Sequence, residues 1–103
     1  MRHVSHVEIA RSVNGVPIRL TGERWSHIVE NHDDLAGRMD EVLDTIADPV
    51  WVSRGYGGAL VAWRSHGQGR WLGVFYREVG KRDGFVLTAF TTRKPIRTPK
   101  LWP

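Results

Sequence analysis

Two rhythms of hydrophobic positions divide this chain, and the change between them falls near Pro49. Residues 7–13 and 16–20 flank Asn14-Gly15, a strong type I′ turn pair, so the chain is expected to open with a β-hairpin. Pro17 has no backbone N–H to donate, which assigns the second of these strands to a sheet edge. Thr21 then offers an N-cap to a helix over about Gly22 to Asn31. On that helix Trp25, Ile28, Val29 and His32 recur at i, i+3, i+4 and i+7 and share one face, with Arg24, His27 and Asn31 on the other. Asp33-Asp34 is placed to cap a second helix, whose apolar stripe is Leu35, Met39, Val42, Leu43 and Ile46. Asp48-Pro49 closes it, because the residue before a proline is pushed out of the α region.

From Val50 onward the period is two. Strands are expected at 50–54, 59–65, 70–78 and 84–92, separated by short turns rich in glycine. Connections this short join antiparallel neighbours, so these strands should form a meander. The expected fold class is α+β, with N-terminal helices packed on one face of an antiparallel sheet of at least four strands. The opposite face would be open, and an open face in so small a domain is a natural platform for a ligand. Residues 93–103 hold three prolines, four cations and Trp102, and cannot be regular helix or central strand. They are expected to run along the surface with Leu101 and Trp102 as anchors.

Size and composition narrow the class. A chain of 103 residues supports one core and one domain, spanning 1–103. With 41% hydrophobic and 25% charged residues it has the composition of a globular protein rather than a disordered one. It has no cysteine, which excludes disulfides and thiolate metal sites. Met1-Arg2-His3-Val4 lacks the apolar stretch of a signal peptide, and no apolar run has membrane-spanning length, so the expectation is a cytoplasmic protein with no membrane partner. Fifteen Lys+Arg against eleven Asp+Glu leave a net charge of +4, which favours phosphate-bearing partners through counterion release.

Candidate chemistry rests on histidine, arginine and threonine. His32 ends the apolar stripe of the first helix, and imidazole can give and take protons near neutrality. A histidine there can equally be a core-edge residue bonded to a backbone carbonyl, and His27, on the polar side, can be a plain surface residue. His3 and His6 have a metal-like spacing but no third ligand placed to complete a site, so neither metal nor cofactor is expected. Arg64 and Arg77 each end an apolar strand, where a guanidinium can grip a phosphate or simply extend to water. Alternation places Thr88 and Thr92 on one face of the last strand and Thr91 on the other. No P-loop, G-x-S-x-G, H-E-x-x-H or C-x-x-C motif is present. Of five tryptophans, Trp25, Trp63 and Trp71 fit a core, which leaves others free to stack on bases.

The order Leu20-Thr21-x-Glu23-Arg24-Trp25-x-His27-Ile28-x-x-x-His32, Asp48-Pro49, Trp63-Arg64, Val74-Phe75-Tyr76-Arg77, Thr88-Ala89-Phe90-x-Thr92 and Lys100-Leu101-Trp102 resembles the phage and bacterial barnase–EndoU–colicin–RelE-like nucleases, the BECR fold. The resemblance runs from about Val16 to Trp102. It implies a barnase/RelE-like α+β fold and metal-independent RNA cleavage, in proteins often deployed as toxins or carried by phages. The positions matching the family's polar pattern are His27, His32, Arg64, Arg77, Thr88 and Thr92. One departure is Asp33, where the family commonly has proline, which alters the turn and puts a negative charge beside His32. RNA is the implied substrate, His32 the first choice for acid or base, Arg64 and Arg77 the phosphate grips, and an acidic antitoxin or immunity protein the implied inhibitor. The alternative is a non-catalytic module of the same fold that binds RNA or protein.

Overall fold

Residues 6–103 are described in the computed structural model of the chain, and they begin with the expected hairpin. Strand β1 spans Val7–Arg11 and β2 spans Pro17–Thr21, antiparallel, with Ile9 opposite Arg19. The turn is not type I′. Gly15 N–H donates to Ser12 O at 2.8 Å and Ser12 N–H to Val16 O at 2.8 Å. Gly15 alone takes a left-handed φ, +80°, while Asn14 keeps a negative one. This is a type I turn followed by a left-handed glycine, the three-residue hairpin connection. The Ser12 hydroxyl selects it by accepting from the N–H groups of Asn14 and Val16, both at 3.3 Å.

Helix α1, Gly22–Asn31, starts as anticipated, with Thr21 Oγ1 accepting from Arg24 N–H at 3.0 Å. Ile28 is buried, Trp25 and Val29 are half-buried, and Arg24, His27 and Asn31 are exposed. The second helix is shorter than its apolar stripe implied. Asp33–Leu35 forms one 3₁₀ turn, Gly37 breaks the chain at φ +78°, and α2 runs from Met39 to Ala47. Asp33 and Asp34 therefore do not cap α2, although Leu35 still reaches the core.

Strands β3 (Trp51–Arg54), β4 (Leu60–Gly67), β5 (Arg70–Glu78) and β6 (Gly84–Thr92) pair antiparallel in succession. Two further contacts make the sheet larger than a meander. Strand β2 meets β6 in parallel at Arg19 opposite Phe85, and β7, Lys100–Trp102, pairs with the far side of β3. The result is a seven-stranded mixed sheet in the order β1-β2-β6-β5-β4-β3-β7. So β2 is an inner strand, not an edge. Pro17 is tolerated because it sits at the strand's first residue, before the parallel contact begins. The tail is held by backbone pairing rather than by buried anchors, since Leu101 and Trp102 remain 46% and 37% exposed.

Helix α2 packs against β1, β4 and β5, and α1 against β2 and β6. Their buried residues Ile28, Val42 and Ile46 join Leu72, Val74 and Tyr76 in the main core. A second cluster, Ala59, Val61, Trp63 and Phe75 flanked by Trp51, Trp71, Leu87 and Phe90, lies on the other side of the sheet. The face expected to be open is thus paved with aromatic rings.

Candidate functional site

Pairing register decides which chemistry shares a side of the sheet, because residues directly opposite on neighbouring strands project to the same face. Phe75 is opposite Thr88, Gly73 opposite Phe90, Trp71 opposite Thr92 and Arg77 opposite Phe85. On β4, Val61 and Trp63 oppose Phe75 and Gly73, and on β3 Trp51 opposes Trp63. Arg77, Thr88 and Thr92 therefore belong to the aromatic face, in rows about 7 Å apart along the strands. Arg64 does not. It pairs with Leu72, a residue of the main core, and reaches the C-terminal end of α2. There its Nη1 makes long contacts of 3.4 Å to the carbonyl oxygens of Asp44 and Asp48 and lies 4.0 Å from the Asp48 carboxylate. A cation at that end of a helix meets the negative end of its dipole.

His32 comes to the aromatic face from the sheet's side. Beyond Arg19 and Phe85, β2 no longer pairs with β6, and α1 packs against β6 instead. The His32 backbone is pinned in both directions: its N–H donates to Ile28 O at 2.8 Å, and its carbonyl accepts from Leu35 N–H at 3.0 Å. The half-buried imidazole then sits 6.4 Å, centre to centre, from the Phe90 ring. His27 is elsewhere. It is exposed on the far side of α1, with Nδ1 3.9 Å from Glu30 Oε1.

The remaining candidates differ in how free they are. Thr92 Oγ1 accepts from Lys94 N–H at 3.0 Å and lies 3.3 Å from Lys94 O, which launches the tail. The half-buried Thr88 hydroxyl has no side-chain hydrogen bond among the described residues. Arg77, also half-buried, has neither a side-chain hydrogen bond nor an ion pair among them. Its guanidinium lies against the turn between β3 and β4, with Nη1 3.0 Å from where a β-carbon on Gly58 would stand. Thr91, on the helix side, is occupied: it accepts from Arg70 and donates to Asp34 Oδ2 at 2.7 Å.

The floor beneath these groups depends on Gly73. A β-carbon there would stand 2.6 Å from the Trp63 ring, so its absence lets Trp63 lie across β5 and meet Phe90 edge-on at 5.8 Å. Trp51 stacks on Trp63 at 5.8 Å, and Phe75 touches Phe90 at 5.6 Å. Trp63 satisfies its own indole by donating to Ser53 Oγ at 3.0 Å.

Sequence reasoning passed over Tyr56, which is 72% exposed above Phe75 at a centroid distance of 5.3 Å. An aromatic residue set among three glycines was the available signal. It also passed over His66, whose Nδ1 lies 2.6 Å from Glu41 Oε2, while Arg38 holds the other carboxylate oxygen at 3.2 Å. That pairing joins α2 to β4 and left no trace in local pattern. His3 lies outside the described residues, so the terminal histidine pair is not described; His6 contacts Glu8. Among the described residues, no group of three or more histidine or acidic side chains converges, and no helix is long and apolar enough to cross a membrane.

No protein-family model, curated protein or solved structure matches the chain.

Proposed function

We propose that this chain is a metal-independent endoribonuclease of the toxin type, built on a barnase/RelE-like arrangement in which helices back one side of a sheet and RNA lies on the other. The observation that carries the reading is the sharing of one aromatic-floored face by Arg77, Thr88 and Thr92, with the His32 imidazole held at its side. Rings in rows suit unstacked bases, and an arginine without a carboxylate partner suits a phosphate. In the reaction, a ribose 2′-oxygen attacks the adjacent phosphorus, the bond to the 5′-oxygen breaks, and a 2′,3′-cyclic phosphate remains. His32 takes the 2′ proton or returns one to the departing 5′-oxygen. Arg77 stabilises the charge that builds on the phosphate oxygens and Thr88, in the adjacent row, donates a hydrogen bond to them, while Thr92, two rows from Thr88, orients the neighbouring part of the substrate. DNA lacks the nucleophile. Arg64 and His27 take no part in this scheme, since one caps a helix and the other faces solvent.

Such an activity in the cytoplasm calls for restraint, so the expected protein partner is an acidic inhibitor that covers this aromatic face and Arg77. The test is incubation of the purified protein with total RNA in EDTA. Fragments ending in 2′,3′-cyclic phosphate support the reading, whereas intact RNA, or cleavage that requires added Mg²⁺, overturns it.

One observation favours the second reading, a binding module without catalysis. Transphosphorylation uses both an acid and a base, yet His32 is the single imidazole beside this face among the described residues. Under that reading RNA binds with the same salt dependence and is never cut.

A further inference from the structure

Beyond the face itself, residues 93–100 border a half-open cleft of about 790 Å³ beside Trp51. Its lining is Arg93, Lys94, Pro95, Ile96, Arg97, Thr98, Lys100 and Trp51, so four cations and no carboxylate border it. The cleft is tied at both ends. Arg93 donates to Gln68 O at 3.3 Å, Thr98 Oγ1 donates to Arg54 O at 2.6 Å, and Arg54 N–H donates to Pro99 O at 3.2 Å. Pro95 and Pro99 restrict the backbone between those ties. Lys94, Arg97 and Lys100 have no ion pair among the described residues, and Lys100 Nζ stands 5.6 Å over the Trp51 ring. Self-repelling cations held in a fixed concavity, without internal neutralisation, call for an anionic ligand from outside. An aromatic wall among those cations calls for a ligand that also has flat faces.

We infer that this cleft is a second binding site, for the sugar–phosphate backbone and one base of single-stranded nucleic acid. The ring path supports continuity with the face: His32, Phe90, Trp63 and Trp51 follow one another at centroid separations of 6.4, 5.8 and 5.8 Å. A strand with a phosphate near His32 therefore continues along the aromatic row into the cleft, where the four cations hold its flanking phosphates and Trp51 meets a base. Placing the strand's reactive phosphate near His32 rests on the nuclease reading; binding in the cleft does not.

The test uses a fluorescein-labelled, 2′-O-methylated single-stranded oligonucleotide, which has no free 2′-hydroxyl and stays intact. Binding by anisotropy is compared for the wild-type chain and the variant Lys94→Ala/Arg97→Ala, with melting curves to verify folding; both side chains are exposed. Each phosphate contact contributes a slope of about 0.7 in log affinity against log salt, so losing two should flatten the slope by roughly 1.4 and weaken binding about tenfold at 0.15 M salt. Polyphosphate of matched charge should compete at least several-fold less well than the unlabelled oligonucleotide, since it offers Trp51 no base. Unchanged affinity and slope in a folded variant overturn the inference, as do equal competition by polyphosphate or tighter binding of poly-glutamate than of the oligonucleotide. The two proposals fail separately. Wild-type cleavage with unaltered probe binding by the variant removes the cleft and keeps the nuclease, whereas lost probe binding with no cleavage by wild type does the reverse.

Discussion

The two sides of the sheet treat their polar groups differently. On the helix side, Arg64 is bound to the carbonyl end of α2, Arg70 and Asp34 meet through Thr91, and His66 and Arg38 share Glu41. On the aromatic side Trp63 is bonded to Ser53, Thr92 to Lys94 and Arg19 to Asp83, but the half-buried Arg77 guanidinium, Thr88 hydroxyl and His32 imidazole, and the exposed Tyr56 hydroxyl, have no hydrogen-bond partner among the described residues. Half-buried polar groups are ordinarily satisfied within the fold, because leaving them unpaired costs free energy. A side where they are matched to each other serves stability. A side where they are left over, on a rigid floor, has capacity for a ligand. The exception on the helix side is the Tyr76 hydroxyl, which is fully buried and unpartnered. Burial, with Glu78 nearby, pushes it above the usual phenol range and keeps it neutral.

The most severe test of this contrast is His32→Ala. Loss of an acid or base lowers a rate by a factor of about 10² to 10⁴, so RNA cleavage should nearly vanish while RNA affinity and melting temperature stay close to wild type. His27→Ala should change little. A folded His32→Ala protein that cuts at the wild-type rate would remove the imidazole from the mechanism and weaken the case for this side of the sheet.

Next comes the floor. Gly73→Val places a branched side chain where the Trp63 ring now lies, and overpacking of this kind costs about 1–3 kcal/mol. Urea unfolding should show that loss, together with an altered near-ultraviolet tryptophan spectrum. Undiminished stability would mean that Trp63 does not depend on the bare backbone at Gly73.

The two arginines give a smaller but sharper comparison. Arg77→Ala should lower RNA affinity and reduce the salt slope by about 0.7, with stability nearly unchanged. Arg64→Ala should leave the slope alone and cost at most about 1 kcal/mol of stability, because the contact to α2 is long and partly exposed. Equal slope losses for both variants would break the division between the faces.

The weakest effect lies at the β5–β6 turn, at the margin of the aromatic side, where Arg19 is opposite Phe85. Arg19 donates to Asp83 through Nε at 2.8 Å and Nη2 at 3.2 Å, and those hydrogen bonds hold the Asp83 carboxyl below its usual range. A carboxylate with a lowered folded-state pKa adds stability above its unfolded pKa of about 3.9 and loses it as pH falls through the lower folded value. Asp83→Asn should therefore lower the melting temperature slightly at neutral pH, with the difference closing in acid. A gap that persists at pH 2 would show that charge is not its origin.

Much of this architecture was legible locally. Thr21 and the spacing of Trp25, Ile28 and Val29 mark α1, and β5 and β6 follow from alternation bounded by glycine-rich turns. The side shared by Thr88 and Thr92 also follows from alternation, since no irregularity intervenes between them. The side Arg64 takes relative to Arg77 is not legible locally, because it depends on the β4–β5 register, which the irregularity between Ser65 and Gly67 helps to set. The cap expected from Asp33-Asp34 failed for a similar reason: Gly37 ended the turn, and Thr91, distant in sequence, claimed Asp34.

Hydrophobic spacing by itself determined α1, the body of α2, the strands of the meander and the alternation of faces, because each depends on residues within one or two turns or pleats. Tertiary structure alone decided the parallel meeting of β2 with β6, the addition of β7 to β3 and the closing of the cationic tail over Trp51. These join residues 66, 47 to 50, and 42 or more positions apart, or fix groups by contacts no local rule specifies. A side chain's neighbours across such distances depend on how whole elements bury their apolar sides together, and that competition is settled only when the domain closes.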